Sequence, residues 1–178
     1  MNLANKLTIL RIILVPVFIA CFYIPVWYWN YIAAVVFIGA YITDVFDGRY
    51  ARKHNLVSDF GKLMDPIADK LLTCSAVIML VWNGSFPPIP AVIIIAREFV
   101  ISGIRLVAAG RGNVIAASWL GKIKTITQCI ALAMILLKNP IFSLIGVPMD
   151  QIMVWISAAF TVWSGVDYVV KNRKSISM

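Results

Sequence analysis

The chain has 178 residues, of which 61% are hydrophobic and 13% charged, about half the charged share of an ordinary soluble domain. A domain this small cannot hide so much apolar surface in its own core, which excludes disorder and an ordinary soluble fold; the mean hydropathy of +0.88 agrees. The 16 Lys and Arg against 8 Asp and Glu give a net charge of +8, which in so apolar a chain points to cationic loops and anionic headgroups, with no nucleic-acid partner expected.

The apolar stretches are continuous and lack the alternation of barrel strands, so the expected fold is all-α: a polytopic membrane protein. At about 20 residues per span, the length holds roughly six transmembrane helices. In residues 2–9, Leu3 and Leu7 share a helical face with Leu10, and a short N-terminal interfacial helix is expected there. The first span is read from Leu10 to Trp29; it is long enough to cross and has no small-residue cleavage site after it, so it is expected to be retained. The second runs from Tyr31 to about Lys53 and the third from about Phe60 to Trp82, where Asn83, Gly84, Pro87 and Pro88 mark a turn. The fourth runs from about Ile89 to Gly110, the fifth from about Ile115 to Leu137, and the sixth from about Met149 to Val170. No internal repeat interrupts this order, and residues 1–178 are read as a single domain. Cys21, Cys74 and Cys129 lie in apolar runs without metal or redox spacing and are read as packing residues.

Cations group at alternate ends of the spans. Lys6 and Arg11 open the first span, Arg49, Arg52, Lys53 and Lys62 surround the turn after the second, Arg105, Arg111, Lys122 and Lys124 the turn after the fourth, and Lys171, Arg173 and Lys174 the tail. The opposite loops hold only Lys138. The positive-inside rule then places both termini and both basic turns in the cytosol. His54, in the first basic turn, is read as a solvated loop residue.

Carboxylates inside spanning helices are costly and mark function. Asp44 and Asp47, at i and i+3, share one face of the second span; Asp65 and Asp69, at i and i+4, share one face of the third. The two helices are expected to be antiparallel neighbours, with Asp44 and Asp69 at a similar depth, on the order of 13 Å from the cytosolic surface at 1.5 Å per residue. Pairing with Arg49, Arg52 or Lys70, or helix capping, would account for a single such Asp. Four at this spacing make an oxygen-lined cage suited to hard cations such as Mg²⁺, Mn²⁺ or Ca²⁺, and two such ions side by side form a clamp for displacement at phosphorus. Gly48, Ala51 and Gly61 would allow close approach of a backbone or ligand beside the cage, and Arg52 could meet a phosphate at its mouth.

From Asp44 to Asp69 the sequence reads D-x-x-D-G-x-x-A-R-x(8)-G-x(3)-D-x(3)-D. This resembles the signature of the CDP-alcohol phosphatidyltransferase family, with every fixed position present. The resemblance implies a six-helix membrane domain with an N-terminal interfacial helix, usually a homodimer. It implies that Asp44, Asp47 and Asp65 bind two divalent ions, Mg²⁺ or Mn²⁺. Asp69 would complete that centre and act as the base toward the acceptor hydroxyl. Asp47, Gly48, Ala51, Arg52 and Gly61 would form the CDP-binding surface. The reaction implied is transfer of a phosphatidyl group from CDP-diacylglycerol to an alcohol, releasing CMP.

The segments Asn5-x(2)-Thr8-x(2)-Arg11, Arg97-Glu98-x(3)-Ser102-x(2)-Arg105 and Gly121-Lys122-x-Lys124-Thr125-x(2)-Gln128 are similar to the bacterial branch that makes phosphatidylglycerophosphate, whose acceptor is sn-glycerol-3-phosphate. Arg105 and Lys124 are expected near the depth of the cage, where cations need an anion or a cavity; with Thr8 and Lys122 they are the candidate acceptor-phosphate ligands. The competing structural account pairs Glu98 with Arg105, at i and i+7. Within the family, a rival acceptor would be phosphatidylglycerol, serine or an inositol compound. A cation transporter is the rival from another class, but neither repeats nor broken helices in corresponding halves support it.

Overall fold

The structure, a computed structural model, describes residues 3–53, 59–110 and 118–173; at 3–8, 44–53, 59–66 and 69 it describes the backbone alone. The described residues form helices and no strands: α1 (Leu3–Cys21), α2 (Trp29–Lys53), α3 (Asp59–Trp82), α4 (Pro88–Gly110), α5 (Trp119–Leu136) and α6 (Met149–Lys171), with a short 3₁₀ turn at Phe142–Ile145.

Most helix ends fall where backbone chemistry demands them. The break after α3 contains Gly84 in the left-handed region, at φ 77°, and α4 starts at Pro88, a first-turn position that needs no N–H. After α5, Lys138 and Asn139 take φ of 59° and 51°, and the Asn139 N–H donates to the Met134 carbonyl at 2.8 Å. Asn tolerates this conformation better than most side chains. Gly146, at φ 69°, closes the 3₁₀ turn by donating back to Phe142 and Ser143. Asp150 lies in the first turn of α6 and Lys171 in its last, each opposite in sign to the helix dipole there.

Two boundaries differ from those expected. The first helix ends at Cys21 rather than Trp29, and Trp29 opens α2. Pro25 disfavours helix at the residue before it, and the Phe22 and Tyr23 N–H groups have already turned to Ile19 and Ala20, each at 3.0 Å. At the other end, α1 is unbroken from Leu3, so the segment expected as a separate interfacial helix is continuous with the first span. No Gly or Pro stands between Leu3 and Val15's predecessor Leu14 to interrupt it.

The chain forms two compact units, Met1–Asn83 with Leu136–Lys138, and Gly84–Ile135 with Asn139–Met178. In the first unit α1 packs on α2 and α3. Phe18, Ala33, Ala34, Phe37 and Ala76 are buried at its core; Phe18 meets Phe22 edge-on at 5.2 Å and Phe37 at 6.2 Å. Buried Asn30 donates to the Leu136 carbonyl at 3.0 Å, satisfying a group that the end of α5 leaves open. In the second unit α4 packs on α6, burying Ile94, Ile101 and Ala108 against a face of α6 that includes Val154, Ala158 and Thr161.

Among the described residues, α5 and α6 are long and apolar enough to cross a membrane, yet only 33% of each crossing window is buried. The core helix of a soluble protein would show the reverse. Among residues whose side chains are described, apolar helical stretches also run over Ile9–Cys21, Trp29–Thr43 and Lys70–Trp82. Large apolar side chains such as Val35, Val92, Leu106 and Val166 lie exposed on α2, α4 and α6. A surface of this kind belongs in lipid.

Candidate active site

The signature residues divide between two helices of the first unit. Asp44, Asp47, Gly48, Ala51 and Arg52 lie on α2; Gly61, Asp65 and Asp69 lie on α3. The helices contact one another, and α2 ends at Lys53 six positions before α3 begins at Asp59. The aspartates are thus on the halves of α2 and α3 next to that short connection. Their side chains lie outside the described residues, as do those of Gly48's neighbours Ala51 and Arg52 and that of Thr8 on α1. Helical backbone at all four aspartates preserves the i, i+3 and i, i+4 register, so each pair shares a helix face. All four donors are carboxylates, and an all-oxygen set fits a hard divalent ion. Arg11 on α1 is 4% exposed, in a unit whose acids, Asp44, Asp47, Asp59, Asp65 and Asp69, all lie on α2 and α3.

The second unit holds a polar cluster built from α4, α5 and α6. Lys124 of α5 is 3% exposed, and its ammonium is paired with Glu98 Oε1 of α4. Arg97 Nη1 donates to that same oxygen at 3.1 Å. Its Nη2 donates to Ser164 Oγ of α6 at 3.2 Å, and Ser164 donates to the Thr161 carbonyl at 3.1 Å. Ser102 donates to the Glu98 carbonyl. Two glycines flank the arginine: a Cβ at Gly165 would stand 3.4 Å from Arg97 Cγ and one at Gly121 3.6 Å from Nη2, both ordinary contact distances. Ser118 caps α5 by accepting from the Gly121 N–H at 3.1 Å.

The other candidate acceptor ligands occupy different positions. Arg105 Nε donates to the Tyr168 hydroxyl at 3.2 Å, with the guanidinium 5.4 Å from that ring's centre. Glu98 is therefore held with Arg97 and Lys124, and Arg105 with Tyr168, so the Glu98–Arg105 pair of the competing structural account does not form. Lys122 is exposed, its Nζ 6.0 Å from the Trp119 ring centre. The described part of α5 begins at Trp119, so Lys124 sits on its second turn.

Ser164 and Tyr168 did not emerge from the sequence as site residues. Their signal was present: Ser157, Thr161, Ser164 and Tyr168 recur at helical spacing and are all buried on α6. Beside Arg97 an apolar groove of about 400 Å³ runs between α4 and α6, lined by residues such as Ile93, Val100, Val162 and Val166.

The sequence model for CDP-alcohol phosphatidyltransferases matches residues 1–163. The chain belongs to the CDP-alcohol phosphatidyltransferase family. Among curated relatives, this phosphatidyltransferase is 43% identical to the CDP-diacylglycerol–glycerol-3-phosphate 3-phosphatidyltransferase of Bacillus subtilis, over 98% of this chain and 97% of the relative. It is 42% identical to the enzyme of that name from Rickettsia felis, over 97% and 96%, and 35% identical to that of Shigella flexneri serotype 5b, over 98% and 97%. The family is generally dependent on divalent metal, consistent with the carboxylate donor set on α2 and α3. Together with the lipid-compatible helix surfaces, membership identifies a membrane protein.

Proposed function

We propose that this phosphatidyltransferase moves the phosphatidyl group of CDP-diacylglycerol to sn-glycerol-3-phosphate, giving phosphatidylglycerophosphate and CMP. The observation that carries this reading is the near end-to-end match to relatives bearing that activity in their name. The complete aspartate signature on α2 and α3 and the cationic cluster of α4 and α5 support it. Residues 1–178 are read as one catalytic domain, since the family match crosses both compact units. Six spans, cytosolic termini and a homodimer complete the reading, with the site opening toward the cytosol.

Asp44, Asp47, Asp65 and Asp69 would hold two divalent ions, Mg²⁺ or Mn²⁺, which when bound would polarise the diphosphate and stabilise the departing CMP. Asp47, Gly48, Ala51, Arg52 and Gly61 bind the CDP moiety. Thr8, Arg105, Lys122 and Lys124 bind the acceptor phosphate, and Arg97 joins them by its place beside Lys124. Asp69 takes the proton of the acceptor hydroxyl. That oxygen forms a bond to the phosphorus attached to diacylglycerol as the bond from this phosphorus to CMP breaks.

The test is CMP release by purified protein in lipid vesicles containing CDP-diacylglycerol. The expected result is release that requires both glycerol-3-phosphate and Mg²⁺ or Mn²⁺ and stops with chelator. Release driven instead by phosphatidylglycerol, serine or an inositol compound would overturn the acceptor. Divalent-ion binding without release for any acceptor would favour transport.

A further inference from the structure

We propose that Glu98 is a positioning residue for the acceptor phosphate: its carboxylate holds Lys124 and Arg97 where they receive the anion. The inference deepens the acceptor reading above and rests on it. Both cations converge on one oxygen, Glu98 Oε1. Lys124 is 3% exposed, and Arg97 and Glu98 are 15% exposed each, so these charges have little water to screen them. Two cations converge on one carboxylate in a low-dielectric site, a geometry that an anion beside it would share.

Arg97 is fixed from several sides. Glu98 takes Nη1, Ser164 takes Nη2, and Gly121 and Gly165 lie beside its side chain. Its Nε is buried and lacks a hydrogen-bond partner, leaving one donor of the fork available. Lys124, by contrast, is a flexible stem with a compact charge, and the Glu98 pair is one of its anchors. With an amide at 98 the two cations lose the charge that draws them together. Glu98 itself carries like charge to the substrate and would not bind it; its contribution comes through the cations.

The experiment compares wild type, Glu98→Gln and Glu98→Asp in vesicles. It measures KM for each substrate, kcat, and equilibrium binding of glycerol-3-phosphate by calorimetry. The positioning role predicts that Glu98→Gln raises KM and Kd for glycerol-3-phosphate by about tenfold or more. The KM for CDP-diacylglycerol stays within about twofold and kcat falls far less than kcat/KM, the pattern of lost acceptor binding. Glu98→Asp keeps the charge with a shorter reach and recovers part of the loss. Unchanged or tighter glycerol-3-phosphate binding by Glu98→Gln would show that the carboxylate merely competes with the anion, and would overturn the proposal. An equal rise in both KM values would also overturn it, by showing general loosening. Should Glu98→Gln fail to fold, Glu98→Asp gives the same split with a smaller rise, and no split overturns the inference. Wild type that binds glycerol-3-phosphate but releases no CMP would sink the proposed reaction and leave the Kd comparison to decide the role of Glu98. Wild type that does not bind glycerol-3-phosphate would overturn that role as well.

Discussion

The two compact units place charge in an apolar helical chain by different means. In the first, Asp44, Asp47, Asp65 and Asp69 are grouped by spacings of three and four on α2 and α3. In the second, Glu98, Lys124 and Ser164 come from three helices, and the bonds that join them to Arg97 and to each other span up to 67 positions. A like-charged group that needs an outside cation can be assembled along one helix face, because nothing in the chain has to neutralise it. A mixed-charge cluster needs its partners brought from elsewhere. On the proposed reading the first arrangement depends on a bound ion, whereas the second is balanced in part by the protein itself.

The largest effect that tests this contrast is expected at Asp69. Asp69→Asn removes the proposed base and one carboxylate of the ion site with almost no change in volume. Turnover should fall by about 10²–10⁴-fold. The folded protein should still bind glycerol-3-phosphate, because its proposed ligands include the cluster of α4 and α5. CMP release by Asp69→Asn within about threefold of wild type would remove Asp69 from the mechanism.

Next in size is the buried pair of the second unit. Lys124→Met removes one of the two cations paired with Glu98 in a nearly dry site, and should cost about 3 kcal/mol of stability against denaturant in detergent. Adding Glu98→Gln to Lys124→Met takes the carboxylate from Arg97 as well and should not restore that loss. A double variant as stable as wild type would show that the ion pairs are not the source of the cost.

How much of this was legible beforehand follows the same division. The aspartate faces, most helix ends and the all-helical class can be read locally, from period, from Pro87 and Pro88, and from the Lys138–Pro140 break. The end of the first helix was misplaced because the run to Trp29 is apolar throughout, and hydropathy outweighed the local effect of Pro25. The partner of Glu98 was beyond reach for another reason: an i, i+7 cation was visible within α4, but which way α5 and α6 present Lys124 and Ser164 depends on tertiary packing. Six spans are read from apolar length; among the described residues, length and composition mark α5 and α6.

A smaller effect is expected at the buried contact between α4 and α6. Tyr168 is 2% exposed, and its hydroxyl accepts from Arg105 Nε at 3.2 Å. Tyr168→Phe keeps the ring beneath the guanidinium and deletes that bond alone, a loss of about 1 kcal/mol. KM for glycerol-3-phosphate should rise about fivefold, since 1.4 kcal/mol corresponds to tenfold, and KM for CDP-diacylglycerol should hold. Equal changes in both would make Tyr168 a packing residue only.

The smallest effect belongs to an ion pair that resembles the buried one in chemistry but not in setting. Lys171 Nζ lies 2.8 Å from Asp167 Oδ1 at i, i+4 on the last turns of α6, with the lysine 66% exposed. The acid precedes the base, the favoured order on a helix, and Lys171 also meets the negative end of the dipole. Water and salt nonetheless screen the pair, and ordering two side chains offsets the attraction. Asp167→Asn should therefore cost only about 0.3–0.5 kcal/mol, falling toward zero in high salt. A double-mutant cycle with Lys171→Met, set beside the cycle for Glu98 and Lys124, measures how far burial alone separates the two pairs. A coupling at Asp167 as large as that at Glu98 would mean that burial is not what makes the α4–α5 cluster strong.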